Sequence, residues 1–393
     1  MSEARVPSTA DVVVVGAGVM GSAIALELVR RRAGRVLVLD ARHAGEGMSA
    51  RSSALVRMHY TFRPEVELAV LGLRRYREWP EWVGAPTLLR HTGFVRFVGP
   101  GETDRLRANC AMQRECGAEV DLVGGEALRR LLPGWRIDDV ELAAYEPNGA
   151  YGDGARAAGD MLARARALGA EYRAQVRVTQ LGRQGDRIVG VETASGTVAS
   201  PLVICATGPW TPRLLDPLGC RLPITTELHA VAIVRHPGLA PPARPACIDS
   251  ASRTYFRPDG DGSSLIGDFS GPRGVDPDDF PQHPRMDALA DLVERAATRV
   301  PALAEGGIAR GYTGVYDMTP DARPLIGHAP DLEGAIVACG FSGMGFKIAP
   351  AIGVVVAELV LDGRATTVDI SAFGPDRFRR GEPIRAPFEY QDD

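Results

Sequence analysis

The sequence predicts an α/β fold, α+β overall: a Rossmann-like domain interrupted twice by segments that build a second, mixed-sheet domain. Three observations carry that expectation. The chain opens on Asp11-Val-Val-Val-Val15, Gly16-Ala-Gly-Val-Met-Gly21, a helical pattern and a second apolar strand ending at Asp40. Two later stretches, from His91 and from Thr226 to Phe269, alternate polar and apolar as half-exposed antiparallel strands do. Finally the buried-strand pattern returns at Ala335–Cys339 and runs through a glycine turn into a long apolar helix.

Strand, G-x-G-x-x-G, helix, strand and acid form the dinucleotide-binding unit. Gly16 allows the tight turn, Gly18 lets a pyrophosphate approach the backbone, and Gly21 lets helix and strand pack. Asp40 stands about 20 residues on, where a carboxylate bonds a ribose hydroxyl. This unit alone does not separate NAD from FAD. In the segment 47–60, Ser49, Arg51, Ser52 and Ser53 suit a second pyrophosphate contact, although serines also cap helices. Helices are expected over 68–82, 105–116, 155–168 and 287–300. Strands are expected over 91–98, 174–178, 188–191, 229–234, 254–258 and 265–269, and a loop over the proline-rich 240–245. Pro201 to Trp210 reads as a buried strand ending in a glycine turn that meets the nucleotide again. The implied division is 1–88, 152–224 and 318–366 for the first domain, 89–151 and 225–317 for the second, and 367–393 as a tail.

Bulk properties narrow the function. A formal charge of −4 and a pI near 6.0 argue against nucleic acid or an anionic membrane as partner. The longest apolar run, Ile348 to Leu361, is broken by Pro350 and Glu358 and is too short to span a bilayer. No export signal is visible and six scattered cysteines have no metal-ligand spacing, so a cytoplasmic, metal-free enzyme is expected.

Lys347 is the only lysine; the other 44 of 45 basic side chains are arginine. It follows Gly340-Phe-Ser-Gly-Met-Gly-Phe346 at the start of a helix, where an ammonium and the helix N-terminus together favour negative charge. A leftover surface residue is the plain alternative.

Five segments in order carry a resemblance: Gly16-Ala-Gly-Val-Met-Gly21, Arg51-Ser-Ser-Ala-Leu-Val-Arg-Met-His-Tyr60, Ala206-Thr-Gly-Pro-Trp210, Met318-Thr-Pro-Asp321 and Gly340 to Lys347. The chain resembles the D-amino-acid-oxidase-type flavoproteins, closest to monomeric sarcosine oxidase and the beta subunit of heterotetrameric sarcosine oxidase. That resemblance implies FAD, held by a Rossmann-like domain under a mixed-sheet substrate domain. The implied cofactor contacts are Gly16, Ala17, Gly18, Val19, Met20 and Gly21, then Asp40, Ala41 and Arg42. They continue with Ser49, Arg51, Ser52, Ser53, Val176, Ala206, Gly208, Trp210 and Gly314. Gly343, Met344, Gly345, Phe346 and Lys347 complete them.

The resemblance also implies that Arg57 and Lys347 hold a substrate carboxylate beside Tyr316, with Tyr255 and His59 as further contacts. A structural ion pair for Arg57, a packed aromatic for Tyr316 and structural roles for His59 and His229 are the simpler readings. Relatives that tether the flavin do so through a cysteine where Gly314 stands, so the FAD is expected to be non-covalent. Monomeric sarcosine oxidase activates oxygen with a second lysine; Leu265 occupies the corresponding position, which makes a dehydrogenase with another acceptor plausible. The expected reaction is hydride loss from an amino acid or N-alkyl amino acid to flavin N5, with reduced flavin supported by the helix N-terminus at 345–347 and reoxidised by O2 or a partner. A nicotinamide dehydrogenase, a flavin-carrying subunit of a heteromeric dehydrogenase and a non-catalytic flavin-binding protein are the competing readings.

Overall fold

The computed structural model describes residues 6–236, 245–260 and 262–390; of the expected loop 240–245 only Pro245 falls among them. Val12–Val15 is a fully buried strand inside a six-stranded sheet. The order across it is Leu325–His328, Ala335–Cys339, Val203–Cys205, Val12–Val15, Val36–Leu39 and Glu171–Arg173. All pairs are parallel except the outermost, Leu325–His328 against Ala335–Cys339. Parallel strands covered on both faces need apolar side chains at every position, which is why the central Val12–Val15 and Val36–Leu39 are uninterrupted Val and Leu runs and Val203–Cys205 and Ala335–Cys339 carry no polar side chain other than a buried thiol. Helices Val19–Arg30, Arg63–Arg77, Gly154–Ala167 and Gly345–Asp362 merge with Val12, Val14, Val36 and Val38 into the largest core cluster. Val13, Val15, Leu37 and Leu39 face the other way, toward a three-stranded antiparallel sheet, Val178–Gln184, Arg187–Thr193 and Gly196–Ala199.

The second sheet has eight strands among the described residues, in the order Gly307–Met318, Thr225–Arg235, Ser263–Asp268, Thr254–Pro258, Ala246–Asp249, Phe94–Phe97, Ala143–Glu146 and Asp121–Val123. Its one parallel pair, Phe94–Phe97 beside Ala246–Asp249, joins the two inserted segments. Helix Met286–Arg299 packs on one face through Leu289, Leu292 and Ala296. Val231, Ile233, Leu265, Tyr255 and Tyr312 form the opposite face.

Several boundaries differ from the sequence expectation for local reasons. The helix expected over 68–82 is two helices, Arg63–Arg77 and Trp79–Trp82, because Pro80 has no N–H to continue the first. The strand over 91–98 is interrupted at Gly93, whose φ is 71°. Residues 174–177 lie in no strand: Gln175 adopts φ 59°, and Glu171–Arg173 joins the large sheet instead. Ala246–Asp249 is too short to show any periodicity and was not foreseen.

Residues 367–390 are bound to the body. Arg377, 1% exposed, meets Asp321 through Nη2–Oδ1 at 2.8 Å and Nε–Oδ2 at 2.9 Å. The Ile384 N–H donates to the same carboxylate at 2.9 Å. This anchoring brings Tyr390 to the site described next.

Candidate active site

A long cleft crosses the carboxyl ends of the central parallel strands, enclosing about 1520 Å³ with its open mouth included. Gly16 turns there with φ 103°, and a Cβ on it would lie 2.5 Å from the Ala206 carbonyl oxygen, so only glycine fits. Asp40, at the end of the next strand, accepts from the Ala17 N–H at 2.6 Å and the Arg42 N–H at 2.7 Å. Burial raises its pKa, and these two backbone bonds oppose the rise. Ser49 Oγ accepts from the Val19 N–H at 3.0 Å, at the start of the first helix. A bare glycine turn, a helix N-terminus and a carboxylate fit the pyrophosphate and ribose of a dinucleotide.

The expected cofactor residues fall into four groups. Gly16, Gly18, Val19, Met20, Asp40, Ala41, Arg42, Ser49, Arg51 and Ser52 line the cleft from the N-terminal segment. Val176, Ala206, Gly208, Trp210, Gly314, Gly343, Gly345 and Phe346 line it from the rest of the chain. Ala17 and Gly21 stand behind the lining: a Cβ on Gly21 would meet the Gly16 oxygen at 1.8 Å, a packing constraint. Ser53, Met344 and Lys347 line an adjoining chamber instead.

That chamber meets the cleft at Tyr316 and Gly343, which line both. Gly343 has φ 85°, and a Cβ there would sit 2.5 Å from the Tyr316 ring. The turn is held by Asp317, whose Oδ2 accepts from the Gly340 N–H at 2.6 Å; burial pushes the Asp317 pKa up to about 6. Helix Gly345–Asp362 then begins, with Lys347 in its first turn and Pro350 inside it. Proline cannot donate to the carbonyl four residues back. The Tyr76 hydroxyl does so instead, donating to the Phe346 oxygen at 2.7 Å. Gly72 completes the fit, since a Cβ on it would lie 2.2 Å from the Lys347 oxygen.

Lys347 is 6% exposed and faces the chamber, as does Arg57. Its Nζ lies 3.5 Å from the Gly343 oxygen and 5.9 Å from the Tyr60 ring centre. Burial first, then the Arg57 charge, hold its pKa well below the usual lysine range, with Glu65 opposing. The Arg57 guanidinium stacks 4.3 Å over Tyr60 and donates to the His59 carbonyl, while its buried Nε has no hydrogen-bond partner among the described residues. Arg57 and Lys347 thus face one chamber, an arrangement that favours an anion between them. Glu65, which also lines the chamber, pairs with Arg323 at 3.0 Å.

Tyr316 stacks on His229 at 3.8 Å between ring centres and is hydrogen-bonded to Tyr255. Burial raises the pKa of both phenols, so they stay neutral. His229 Nε2 lies 3.1 Å from Glu227, which also accepts from Arg273 at 2.6 Å; His229 foremost and Arg273 carry the Glu227 pKa down to about 2 against the effect of burial. His59 bonds Tyr390 OH at 2.9 Å, and burial, with Arg96 and Arg57 nearby, holds its pKa well below normal.

Sequence reasoning missed Glu146, Arg96 and Tyr390, which no motif marks. Glu146 Oε2 accepts from the Met58 N–H at 2.8 Å, steadying the segment that carries Arg57 just after the short strand Leu55–Val56, and burial lifts its pKa to about 7. Tyr60 stood inside a recognised segment without a role. Leu265, 1% exposed, faces a third cavity and not the cofactor cleft.

Among the described residues no helix is long and apolar enough to cross a membrane, and no group of three or more His, Cys, Asp or Glu is placed to hold a metal ion.

Comparison with known proteins agrees with the geometry. Residues 11–359 match the family described as FAD dependent oxidoreductase. The chain is 28% identical to 4-methylaminobutanoate oxidase (formaldehyde-forming) of Paenarthrobacter nicotinovorans over 381 residues, 93% of this chain and 46% of that protein. It therefore spans about half the length of that relative. Glycine oxidase of Geobacillus kaustophilus is 27% identical over 93% of this chain and 97% of its own. The crystal structure of L-proline dehydrogenase from P. horikoshii superposes with a TM-score of 0.88 at 26% identity, covering 96% of this chain and 100% of that one. With the matched span covering most of the sequence and the dinucleotide cleft in place, the chain belongs to the FAD-dependent oxidoreductase family whose members include amino-acid and N-methyl amino-acid oxidoreductases, and its cofactor is FAD.

Proposed function

We propose that this chain oxidises the C–N bond of an amino acid or N-alkyl amino acid to an imine, using non-covalently held FAD. The observation that carries the proposal is that Arg57 and Lys347 both face one chamber, which opens onto the cofactor cleft at Tyr316 and Gly343. FAD, when bound, supplies the acceptor for a hydride. The chain's own groups do the rest. Arg57 and Lys347 fix the substrate carboxylate, which gives Lys347 the direct ion pair that no described residue supplies, and so orient the adjacent Cα–H. Tyr316, steadied by His229 and Tyr255, forms the wall between substrate and cofactor. The reacting amine is neutral, and the imine hydrolyses in water. Gly314 stands at the cofactor wall, 3.3 Å from Arg51 Cβ if given a Cβ of its own, with no thiol to form a tether.

The likeness to a methylamino-acid oxidase and to glycine oxidase supports this substrate class. Anaerobic mixing of the purified yellow protein with N-methyl, cyclic and primary amino acids, followed by air, tests it. Bleaching by at least one carboxylate-bearing amine is expected, and the speed of colour return in air separates an oxidase from a dehydrogenase. Failure of every such amine to bleach the flavin would refute the proposal.

A further inference from the structure

The cofactor cleft has a second side opening, and its chemistry differs from the first. The substrate chamber joins the cleft at Tyr316 and Gly343. A separate interdomain cavity joins it at Arg51 and Ser52, and shares no lining residue with the substrate chamber. This cavity holds about 1560 Å³, its solvent-facing mouth included, which is room for a fused-ring molecule. Five arginines line it against three carboxylates, Glu46, Asp153 and Asp259. Asp259 is taken by Arg257 at 2.9 Å, and Asp153 caps a helix by accepting from the Arg156 N–H at 2.9 Å. Arg90 and Arg310, both exposed, have no ion-pair partner among the described residues. Arg257 is 6% exposed; its Nε and Nη1 are committed to Ser53, Pro258 and Asp259, while its Nη2 makes no hydrogen bond among the described residues. Arg257 also lies 4.2 Å over the Tyr151 ring, and Tyr312 and the buried Leu265 complete an aromatic and apolar wall.

Spare guanidinium hydrogens beside aromatic faces recognise a flat anion. We propose that this cavity is the docking site of a small, anionic, aromatic two-electron acceptor, entering on the side away from the amine. The proposal rests on the amine-oxidising reading above. Over the whole reaction the amine gives up two electrons and two protons in becoming an imine, and the acceptor takes up both pairs to become its dihydro form. Separate openings let the acceptor approach while the imine product still occupies the first chamber.

The test uses 2,6-dichlorophenolindophenol, an anionic two-electron acceptor, and menadione, an uncharged one. Calorimetric titration of the indophenol into oxidised, flavin-loaded protein reads binding without any turnover, so it stands even if no amine bleaches the flavin. The double variant Arg90→Met/Arg310→Met changes only exposed side chains. It is expected to bind the indophenol about tenfold more weakly and to raise its KM by a similar factor. Anaerobic bleaching by the amine and turnover with menadione are expected to stay unchanged. Indophenol affinity within about twofold of wild type in that variant would overturn the proposal, as would equal loss of indophenol binding in Arg57→Met, which would place the dye in the substrate chamber.

Discussion

The cofactor cleft and the chamber proposed for the substrate adjoin at Tyr316 and Gly343, yet they are built by opposite means. The cleft is made of backbone: glycine turns, a helix N-terminus, and an Asp40 carboxylate fixed by two main-chain N–H groups. The chamber is made of long side chains from well-separated segments, among them Arg57, Arg96, Tyr255, Lys347 and Tyr390. Backbone sites demand particular residues at fixed spacing, because a single added Cβ blocks them. Side-chain sites tolerate many sequences that reach the same space. The first kind should therefore fail abruptly on substitution, and the second by graded loss of affinity.

The largest effect is expected at Gly16. Gly16→Val places a branched side chain at φ 103° against the Ala206 oxygen. The purified variant should carry almost no flavin, with affinity for added FAD down by more than about 5,000-fold; the ratio of flavin to protein absorbance checks it. Full flavin content would break the contrast between the two regions.

Next comes Arg57→Met, which should keep its flavin and lose roughly 2–5 kcal/mol of affinity for a carboxylate-bearing amine. Anaerobic bleaching titrations measure that loss directly. Gly72→Val is a smaller change at a distance, since its side chain would push on the Lys347 carbonyl from the neighbouring helix. We expect a stability loss on the order of 1–3 kcal/mol in urea unfolding, with weakened substrate affinity and unchanged flavin content.

The smallest effect is a pH dependence. Glu146 has its pKa raised from 4.5 to about 7, so the folded state holds this proton more tightly than the unfolded one. The resulting stabilisation is complete below about pH 4.5 and is lost as pH rises through about 7. Glu146→Gln should remove on the order of 1–3 kcal/mol of that fall. Urea unfolding of both proteins at a series of pH values reads it; parallel curves would contradict the assignment.

The same contrast explains what was legible in the sequence. The parallel sheet could be read because strands buried on both faces are continuous apolar runs, and the cleft because its turns need glycine. Arg57 and Lys347, which face the chamber, were singled out through segments adjoining those turns. Glu146 and Arg96 come from short strands in which a buried charge looks like any surface charge, since nothing local reveals that a distant part of the chain covers it. Tyr390 lies far along a tail whose position depends on the remote Arg377–Asp321 pair. The helix break at Pro80 and the short strand Ala246–Asp249 were hidden for simpler reasons, one proline against a strong periodicity and four residues with none.

The most direct test of the carboxylate clamp compares an acid with its amide. Flavin bleaching is titrated anaerobically with the best amino-acid substrate and with the amide of that same compound, in wild type and in Lys347→Met. Wild type should prefer the acid strongly, and the variant should lose most of that preference while retaining its flavin and its reaction with the amide. An undiminished preference for the acid in Lys347→Met would contradict the clamp.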